Sequence, residues 1–293
     1  MPKRHFLTFA SSNMKSALAR IRTQAEQSGL FNGSILTLTE AELEPTFRRR
    51  FANYLTPTVR GFGYWAWKPQ ILLQALHTIP ENDLLCYVDA GSTIRHQGAK
   101  MMEEWWQKAA TEGIVCFEGA SFPDAQGIKH IFLPEYAWTK GDLFDWFDCR
   151  QEISVVQSAQ IGAGILIFKN TSSIRSLVRQ WLVVYEKRFD LADDSHSASP
   201  NFQGFIEHRH DQSIFSLLIK TRTSVRPISA CYYCPSGSWA PRGVPKRFFG
   251  GISFLSLYDS PIWATRIRGS WRDWIPLPLK YLFHTISGTM HHR

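Results

Sequence analysis

Residues 83–91 read DLLCYVDAG, an apolar run followed directly by an acidic residue and a glycine. Five consecutive apolar residues between turn-forming residues are typical of a strand that is buried on both faces. Asp89 follows this strand at the point where the chain turns. Because ligands of open α/β sheets bind beyond the carboxyl ends of the strands, Asp89 is a candidate ligand-binding residue. The alternative is that Asp89 only stabilises the turn.

The segments on both sides of this stretch alternate between strand-like and helix-like patterns. Strands are predicted at residues 5–10, 34–38, 113–117 and 161–168. Helices are predicted at residues 14–27, 40–51, 71–77, 98–111, 140–147, 171–188 and 211–220, and a polar loop at 190–203. Strands that alternate with helices indicate an α/β protein with a mostly parallel central sheet flanked by helices.

The composition is that of an ordinary globular protein, with 293 residues, 44% hydrophobic and 20% charged. This balance argues against a disordered chain, a collagen or a coiled coil. The apolar stretch near the N-terminus is too short for a secretory signal, and no run is long enough to span a membrane, so a cytoplasmic location is expected. Cys231 and Cys234 have C-x-x-C spacing without a second pair, and a zinc site completed by His208 and His210 is a minor alternative.

The net charge of +8 is concentrated at the C-terminal end. Residues 238–293 contain eight Lys and Arg against two acidic residues, interspersed with aromatic side chains that include Trp239, Trp263, Trp271 and Trp274. Such an extension suits an anionic membrane surface, a layer packed on the core, or single-stranded nucleic acid. The first two alternatives are favoured equally, and no nucleic-acid partner is expected because nothing in residues 1–235 indicates one.

Two further segments combine polar and aromatic side chains. Residues 61–69 read GFGYWAWKP, where Trp65 and Trp67 share a face if the segment is extended. Their rings would stack on a base or sugar, with Lys68 facing a phosphate, or they would simply pack at a loop–helix junction. Residues 208–213 read HRHDQS, where Asp211 either caps a helix or acts with its neighbours on a metal, a sugar hydroxyl or a proton.

In this order, the motifs resemble those of a GT-A-type glycosyltransferase, in particular the nucleotide-diphospho-sugar transferases of surface-polysaccharide biosynthesis. The resemblance is carried by residues 5–10, 61–69, 87–91, 160–165 and 210–212. It implies a GT-A-like, Rossmann-type catalytic domain over residues 1–235, followed by the basic, Trp-rich extension 236–293.

The resemblance also implies a nucleotide-sugar donor, with a UDP-sugar favoured, and an acceptor pocket. Residues expected to bind the donor are Thr8, Phe9, Ala10, Ser11, Trp65, Trp67, Asp89, Ala90, Gly91 and Lys140. Residues expected to border the acceptor or sugar are Glu118, Gln160, Gly162, Gly164 and Gln212. The catalytic work is assigned to Lys68, His210 and Asp211.

One departure from the family pattern concerns the metal. The usual motif has two acids separated by one residue, and here Gly91 stands in the second position. Either Asp89, alone or helped by His210, holds Mn²⁺ or Mg²⁺, or Lys68 or Lys140 stabilises the leaving diphosphate instead.

The function expected from this resemblance is sugar transfer from a nucleotide sugar to a hydroxyl of a polysaccharide or lipid-linked glycan. A protein of this kind would act in the cytoplasm, with the extension as a possible contact to the inner face of the membrane. The alternative from a different class is a non-catalytic glycan-binding or scaffold protein on the same fold.

Overall fold

The computed structural model describes residues 2–119, 121–123, 129–131, 133–229 and 260–265. The strands are β1 (Arg4–Phe9), β2 (Ile35–Leu38), β3 (Leu84–Val88), β4 (Thr93–Ile94), β5 (Ile114–Glu118), β6 (Ser121–Pro123), β7 (Lys129–Ile131), β8 (Ile161–Lys169), β9 (Ile228–Ser229) and β10 (Ile262–Trp263). The helices are α1 (Lys15–Gln27), α2 (Pro45–Arg50), α3 (Gly61–Tyr64), α4 (Trp67–Thr78), α5 (Ala99–Glu112), α6 (Glu135–Trp138), α7 (Gly141–Trp146), α8 (Ile153–Val156), α9 (Ser172–Lys187) and α10 (Asp211–Arg222).

The central sheet has, within the described residues, six strands in the order β2-β1-β3-β8-β5-β9. Strand β1 pairs in parallel with β2 and β3, and β5 pairs in parallel with β9. Strand β8 is antiparallel to both of its neighbours, β3 and β5, so the other five strands all run in one direction. The predicted α/β class with a mostly parallel sheet is confirmed.

The two faces of the sheet are covered by different helices. One face packs against a core built mainly from α4, α7, α9 and α10. The opposite face packs against α1 and α5. Every residue of β3 is buried, which explains why this strand is an uninterrupted apolar run rather than an alternating one. Along β3, Leu85 and Tyr87 point to the α4 side, while Leu84, Cys86 and Val88 point to the α1 side.

Two predicted helices differ from the observed ones. The predicted helix 40–51 is a 3-10 turn at Glu40–Glu42, capped by Thr39, followed by the separate helix α2, which begins at Pro45. Proline is favoured in the first turn of a helix and disfavoured in its interior, so Pro45 divides the two. Helix α4 begins at Trp67, four residues before the prediction, because Pro69 is tolerated in its first turn.

Only a short part of the C-terminal extension is described. Strand β10 pairs with β4, Ile262 is buried, and Arg95 lies 3.8 Å above the centre of the Trp263 ring. This part is therefore packed on the domain next to the turn that follows β3. The rest of the extension, the domain boundary at 235/236, and Cys231 and Cys234 lie outside the described residues. No helix in the described part of the chain is long and apolar enough to cross a bilayer.

We expect Gly98→Ala to displace this packed segment. A Cβ atom on Gly98 would lie 2.1 Å from the backbone nitrogen of Pro261, whereas the φ angle of Gly98, −86°, is open to any residue. Since the clash is with backbone, the segment must move, at a cost of about 1–3 kcal/mol in the free energy of unfolding. Urea unfolding measures this change. The exposed neighbour Lys100→Ala is the control, within about 0.5 kcal/mol of wild type, and equal midpoints for Gly98→Ala and wild type would contradict the expectation.

Candidate active site

Asp89 lies at the carboxyl end of β3, where its backbone closes a turn and its side chain makes a separate hydrogen bond. Its carbonyl oxygen accepts a hydrogen bond from the Ser92 amide at 2.9 Å, which closes the turn. Its carboxylate instead accepts a hydrogen bond from the Tyr87 hydroxyl, with 2.6 Å between that oxygen and Oδ1. Residues two apart on a strand share a face, so β3 itself brings Tyr87 beneath Asp89. The Asp89 side chain remains 46% exposed, and its carboxylate is therefore available to a ligand.

Lys68 supports Asp89 from below and is almost completely buried, with 2% of its side chain exposed. Its Nζ lies 2.5 Å from Oδ2 of Asp211 and 3.4 Å from Oδ1 of Asp89, and it donates to the carbonyl oxygen of Ala163 at 3.1 Å. Burial by itself would lower the pKa of Lys68, but the two carboxylates outweigh it and raise that pKa above its usual value. Lys68 therefore stays charged.

This geometry changes the expected role of Lys68. The sequence suggested an exposed point charge facing a phosphate. The ammonium instead lies beneath Asp89, buried, and its contacts in this structure are with protein oxygen atoms, including those of the Asp89 and Asp211 carboxylates.

Asp211 is the first residue of α10 and is buried, with 8% of its side chain exposed. Burial raises its pKa to about 6, and the attraction of Lys68 opposes only part of that effect. The ion pair between Lys68 and Asp211 thus joins α4 to α10 directly under the exposed edge of the sheet.

Gly164 leaves space next to Asp89. The Asp89 amide donates to the Gly164 carbonyl at 2.9 Å, and a Cβ atom on Gly164 would lie 3.0 Å from Oδ2 of Asp89. That distance is tighter than ordinary van der Waals contact, so a side chain here would crowd the one carboxylate oxygen that neither Tyr87 nor Lys68 contacts. The glycine keeps that oxygen accessible.

Residues 61–65, which include the short element α3, form a left-handed turn and not the extended segment in which Trp65 and Trp67 would share a face. All five have positive φ angles, between 50° and 92°, including the non-glycine residues Phe62, Tyr64 and Trp65. Such angles cost about 1–2 kcal/mol per non-glycine residue, so tertiary contacts must hold the turn. The Tyr185 hydroxyl donates to the Tyr64 carbonyl at 2.8 Å, and the Trp67 indole donates to the Gly61 carbonyl at 3.0 Å.

The turn separates Trp65 from Trp67, which do not form a shared stacking face. Trp65 is half-buried and stacks on the His210 ring, with 5.5 Å between ring centres. Trp67 is buried and stacks on Phe9 at 4.1 Å. Trp67 is thus a packing residue, and of the two only Trp65 retains a partly exposed ring.

His210 does not face Asp89. It precedes α10 with a φ angle of 53°, and its Nδ1 lies 2.8 Å from the Ala192 carbonyl oxygen. Its Nε2 lies 3.6 Å from Oδ1 of Asp194, whose side chain is half-exposed, and has no hydrogen-bond partner among the described residues. Burial lowers its pKa. The expected pairing of His210 with Asp89 around a metal is therefore not present in this structure.

Lys140 is also engaged elsewhere. Its Nζ donates to the backbone carbonyl oxygens of Asp190, Asp193 and Ser195, and so holds the loop that follows α9. The Lys140 amide is 3.4 Å from Nδ1 of His208, which is buried beside His210. Burial lowers the pKa of Lys140. These contacts make Lys140 a loop-anchoring residue in this structure rather than a group facing Asp89.

The residues expected around the acceptor form a hydrogen-bonded pair at the start of β8 and α10. Gln160 is buried, and its Nε2 lies within 3.2 Å of oxygen atoms of Glu135, Trp138, Thr139 and Ser213. Its Oε1 accepts from Nε2 of Gln212 at 2.6 Å. Gln160 thus orients Gln212, which is half-buried and adjoins Asp211.

The other expected site residues lie along the same edge or inside the sheet. Glu118 is the last residue of β5 and pairs with Ile161 on β8. Gly162 on β8 pairs with Phe117 on β5. Ala90 is buried and its carbonyl accepts from Arg20 at 2.8 Å, while the Gly91 carbonyl accepts from Thr265 at 3.0 Å. The base and ribose were expected near the end of β1. Of the residues there, Thr8, Phe9 and Ala10 are buried and Ser11 is half-buried.

A cleft of about 630 Å³ opens beyond β1 and β2, close to those residues. Its lining includes the cationic side chains Lys15 and Arg48, the acidic side chain Glu40, the Phe62 ring and the polar residues Ser12 and Thr39. The Glu40 carboxylate accepts a hydrogen bond from the Ser12 amide. Phe62 contacts Phe9, which stacks on Trp67, the residue before Lys68. A continuous set of aromatic contacts therefore connects this cleft to the Lys68 cluster.

Tyr87, Lys15 and Arg48 are among the residues of this region that were not sequence-based candidates. Tyr87 fixes Asp89, and its two-residue spacing in a predicted strand was the signal that could have identified it. Lys15 and Arg48 line the cleft, and only the proximity of β1 to α2 in three dimensions places them together.

The described residues do not contain a group of three or more His, Cys, Asp or Glu side chains that could hold a metal ion. Asp89 offers one carboxylate oxygen that Tyr87 and Lys68 leave accessible. One carboxylate is a sufficient protein contribution for Mg²⁺ that is bound mainly by water and substrate phosphates. The residues therefore fit a cation that binds together with a phosphate ligand.

Comparison with known proteins gives structural similarity without sequence similarity. No family model matches the sequence, and no curated relative matches it. Mouse xyloside xylosyltransferase 1 is 11% identical, with 93% of this chain and 99% of that chain covered and a TM-score of 0.44. A glycosyltransferase that acts in glycosylation of the PBCV-1 major capsid is 11% identical, with 89% and 93% covered and a TM-score of 0.47. The galactosyltransferase LgtC, with donor and acceptor sugar analogs, is 10% identical, with 96% and 95% covered and a TM-score of 0.46. Because all three TM-scores lie below 0.5, the functional proposal rests on the site of this chain alone.

We expect the buried histidines to make the folded state sensitive to mild acid. Burial lowers the pKa of His208 well below 6.5, and that of His210 in the same direction, so the unfolded chain binds protons before the native one does. The contribution of these histidines to stability is therefore fully present above about pH 6.5 and falls below it, by up to about 1.4 kcal/mol per pH unit for each histidine. Asp211, whose pKa burial raises to about 6, contributes in the opposite direction below that pH. Urea unfolding at pH values from about 7.5 down to about 5, a range that spans the usual pKa of histidine, measures this slope.

The matched variant for this prediction is His208→Gln. It removes one of the two titrations, so its stability should vary less steeply with pH than that of wild type, whatever its absolute stability. Parallel curves for the two proteins would exclude His208 as a source of the acid sensitivity.

Proposed function

We propose that this protein transfers a sugar from a nucleoside-diphosphate sugar to a hydroxyl group of a glycan acceptor, either a polysaccharide or a lipid-linked glycan. The observation that carries the proposal is the Asp89 carboxylate, which is exposed at the carboxyl end of β3 and fixed from beneath by Tyr87 and Lys68. A fixed carboxylate at this edge of an α/β sheet lies where ligands of such sheets bind. Because it carries the same sign of charge as the leaving diphosphate, it would act on that group through a bound divalent cation.

The cleft beyond β1 and β2 supports a nucleotide rather than a neutral ligand. Lys15 and Arg48 supply positive charge there, and Phe62 supplies an aromatic surface on which a base can stack. In this proposal the nucleoside occupies the cleft and its diphosphate extends toward Asp89. The UDP-sugars expected from the sequence remain the first donors to test.

The charge at Asp89 determines how the diphosphate is accommodated. Two carboxylates against one ammonium leave one negative charge uncompensated in the Lys68 cluster. A divalent cation, Mg²⁺ or Mn²⁺, held by Asp89 and by the phosphates of the donor would supply positive charge for the departing nucleoside diphosphate. Asp89 contributes its free oxygen to that binding, and Tyr87 and Lys68 hold the carboxylate in place.

The acceptor side of the proposal involves Gln212 and Asp211. Gln212, oriented by Gln160, presents an amide near the site, which suits hydrogen bonding to sugar hydroxyls. Asp211 is too deeply buried to reach an acceptor in this structure, so we assign it to positioning: through Lys68 it holds Asp89, and as the first residue of α10 it holds Gln212 beside it.

Asp89→Asn tests the proposal directly. The substitution preserves the shape of the side chain but removes the charge, and we expect transfer to fall by at least about 100-fold with a melting temperature close to that of wild type. Release of nucleoside diphosphate from a panel of nucleotide sugars measures the activity. Glu26→Gln, an exposed carboxylate on α1, is the control and should retain full activity. Undiminished turnover in Asp89→Asn would remove Asp89 from the mechanism.

A thermal-shift screen tests the ligand class independently of turnover. Nucleoside diphosphates should stabilise the protein, by about 2.7 kcal/mol at a hundredfold excess over Kd, and the effect should be larger with Mn²⁺ present. Stabilisation without release of nucleoside diphosphate from any donor would instead support the non-catalytic binding or scaffold alternative. A lack of stabilisation by any nucleotide would contradict the proposed donor class.

A further inference from the structure

We propose that Lys68 makes cation binding at Asp89 depend on the nucleotide, because its ammonium group already occupies the position between two carboxylates that a metal ion would otherwise take. This inference rests on the proposed function for the identity of the nucleotide, but the behaviour it assigns to Lys68 is measurable with metal alone.

The environment of Lys68 is an oxygen cage of the kind that hard cations prefer. Oxygen atoms of Asp211, Ala163 and Asp89 lie 2.5, 3.1 and 3.4 Å from Nζ, and they come from α10, β8 and the end of β3. An ammonium group has three hydrogens, so these three oxygens account for all of them. Carboxylate and backbone carbonyl oxygens are also the ligands that divalent cations take from proteins.

Lys68 is fixed in this position and is not free to move aside. It lies in the first turn of α4, preceded by the left-handed turn and followed by Pro69. Its Nζ is 5.3 Å from the centre of the Tyr87 ring and 5.8 Å from that of Trp67, so aromatic faces surround the sides that the oxygens leave open. The folded structure therefore places the ammonium group in the cage and packs aromatic rings beside it.

The consequence is that the nucleotide-free protein offers a divalent cation too few oxygen ligands and too little negative charge for tight binding. Lys68 cancels one of the two carboxylate charges, and Asp211 is turned inward toward it. Oδ2 of Asp89 is then the carboxylate oxygen that Tyr87 and Lys68 leave available at the exposed edge, and Mg²⁺ and Mn²⁺ require further oxygen ligands. Phosphate oxygens of a bound nucleotide supply both the missing ligands and the missing charge. The cation accordingly binds with the nucleotide and not before it.

Four versions of the protein separate the charge of the cluster from its shape. The cluster of Lys68, Asp89 and Asp211 has a net charge of −1 in wild type and −2 in Lys68→Met. Its net charge is zero in Asp211→Asn and −1 again in the double variant Lys68→Met/Asp211→Asn. The double variant removes both members of the buried ion pair, a replacement that proteins often tolerate, whereas each single variant leaves a buried charge without its partner.

Binding of Mn²⁺, measured by electron paramagnetic resonance on the protein with and without UDP, is the test. Wild type should bind Mn²⁺ weakly alone and about 10- to 100-fold more tightly with UDP. Lys68→Met should bind Mn²⁺ without nucleotide at least about tenfold more tightly than wild type, because the vacated cage then presents two carboxylates. The double variant should show no such gain, since it has lost the second carboxylate together with the lysine.

If Lys68→Met does not fold, Asp211→Asn decides the matter. With the cluster neutralised, its binding of Mn²⁺ in the presence of UDP should fall by about tenfold or more relative to wild type. Tight Mn²⁺ binding by wild type without nucleotide, no gain in folded Lys68→Met, or unchanged binding in Asp211→Asn would each overturn the inference. If UDP binds to none of the proteins, the nucleotide proposal fails, whereas a gain of metal binding in Lys68→Met would still support the role of Lys68.

Discussion

The buried ammonium of Lys68 is the interaction on which the rest of the site depends. A charged group with 2% of its side chain exposed is stable only if its hydrogen-bonding capacity is satisfied, and removing one member of a buried ion pair typically costs 3–5 kcal/mol. Asp211, Asp89 and the Ala163 carbonyl meet that requirement. Since these groups belong to α10, β3 and β8, satisfying one lysine forces three elements of the fold to meet at one point.

The buried contacts of Lys68 determine the position and the electrostatic environment of the Asp89 carboxylate at the exposed edge of the sheet. Asp89 is held by two buried side chains, Tyr87 and Lys68, so its carboxylate is preorganised while still half-exposed. Charged groups are most effective in catalysis when they need not reorganise as the reaction proceeds. The same arrangement places a positive charge beside Asp89, and this is the basis of the ligand preference that we propose for the edge. Stability and ligand preference at this site are therefore consequences of the same residues.

The left-handed turn before α4 illustrates how the fold stabilises unfavourable backbone conformations near this site. Phe62, Tyr64 and Trp65 have positive φ angles. Residues held in such conformations persist only where surrounding contacts determine them, and they occur often beside functional sites. Here the contacts come from Tyr185 on α9 and from the His210 ring before α10. The turn delivers Lys68 into the interior while leaving Trp65 partly exposed beside His210.

The amino-acid sequence by itself determined the α/β class, the main strands and helices, and the position of Asp89, because these follow from hydrophobic periodicity and from the break after a buried strand. It also brought Lys68, Asp89 and Asp211 forward as candidates. Their arrangement was decided only by the tertiary structure, since burial and partners depend on contacts between segments that are up to 143 residues apart. For that reason Lys68 lies buried between two carboxylates, Trp67 packs on Phe9, and Lys140 holds the loop that follows α9, none of which the chemistry of these side chains indicates by itself.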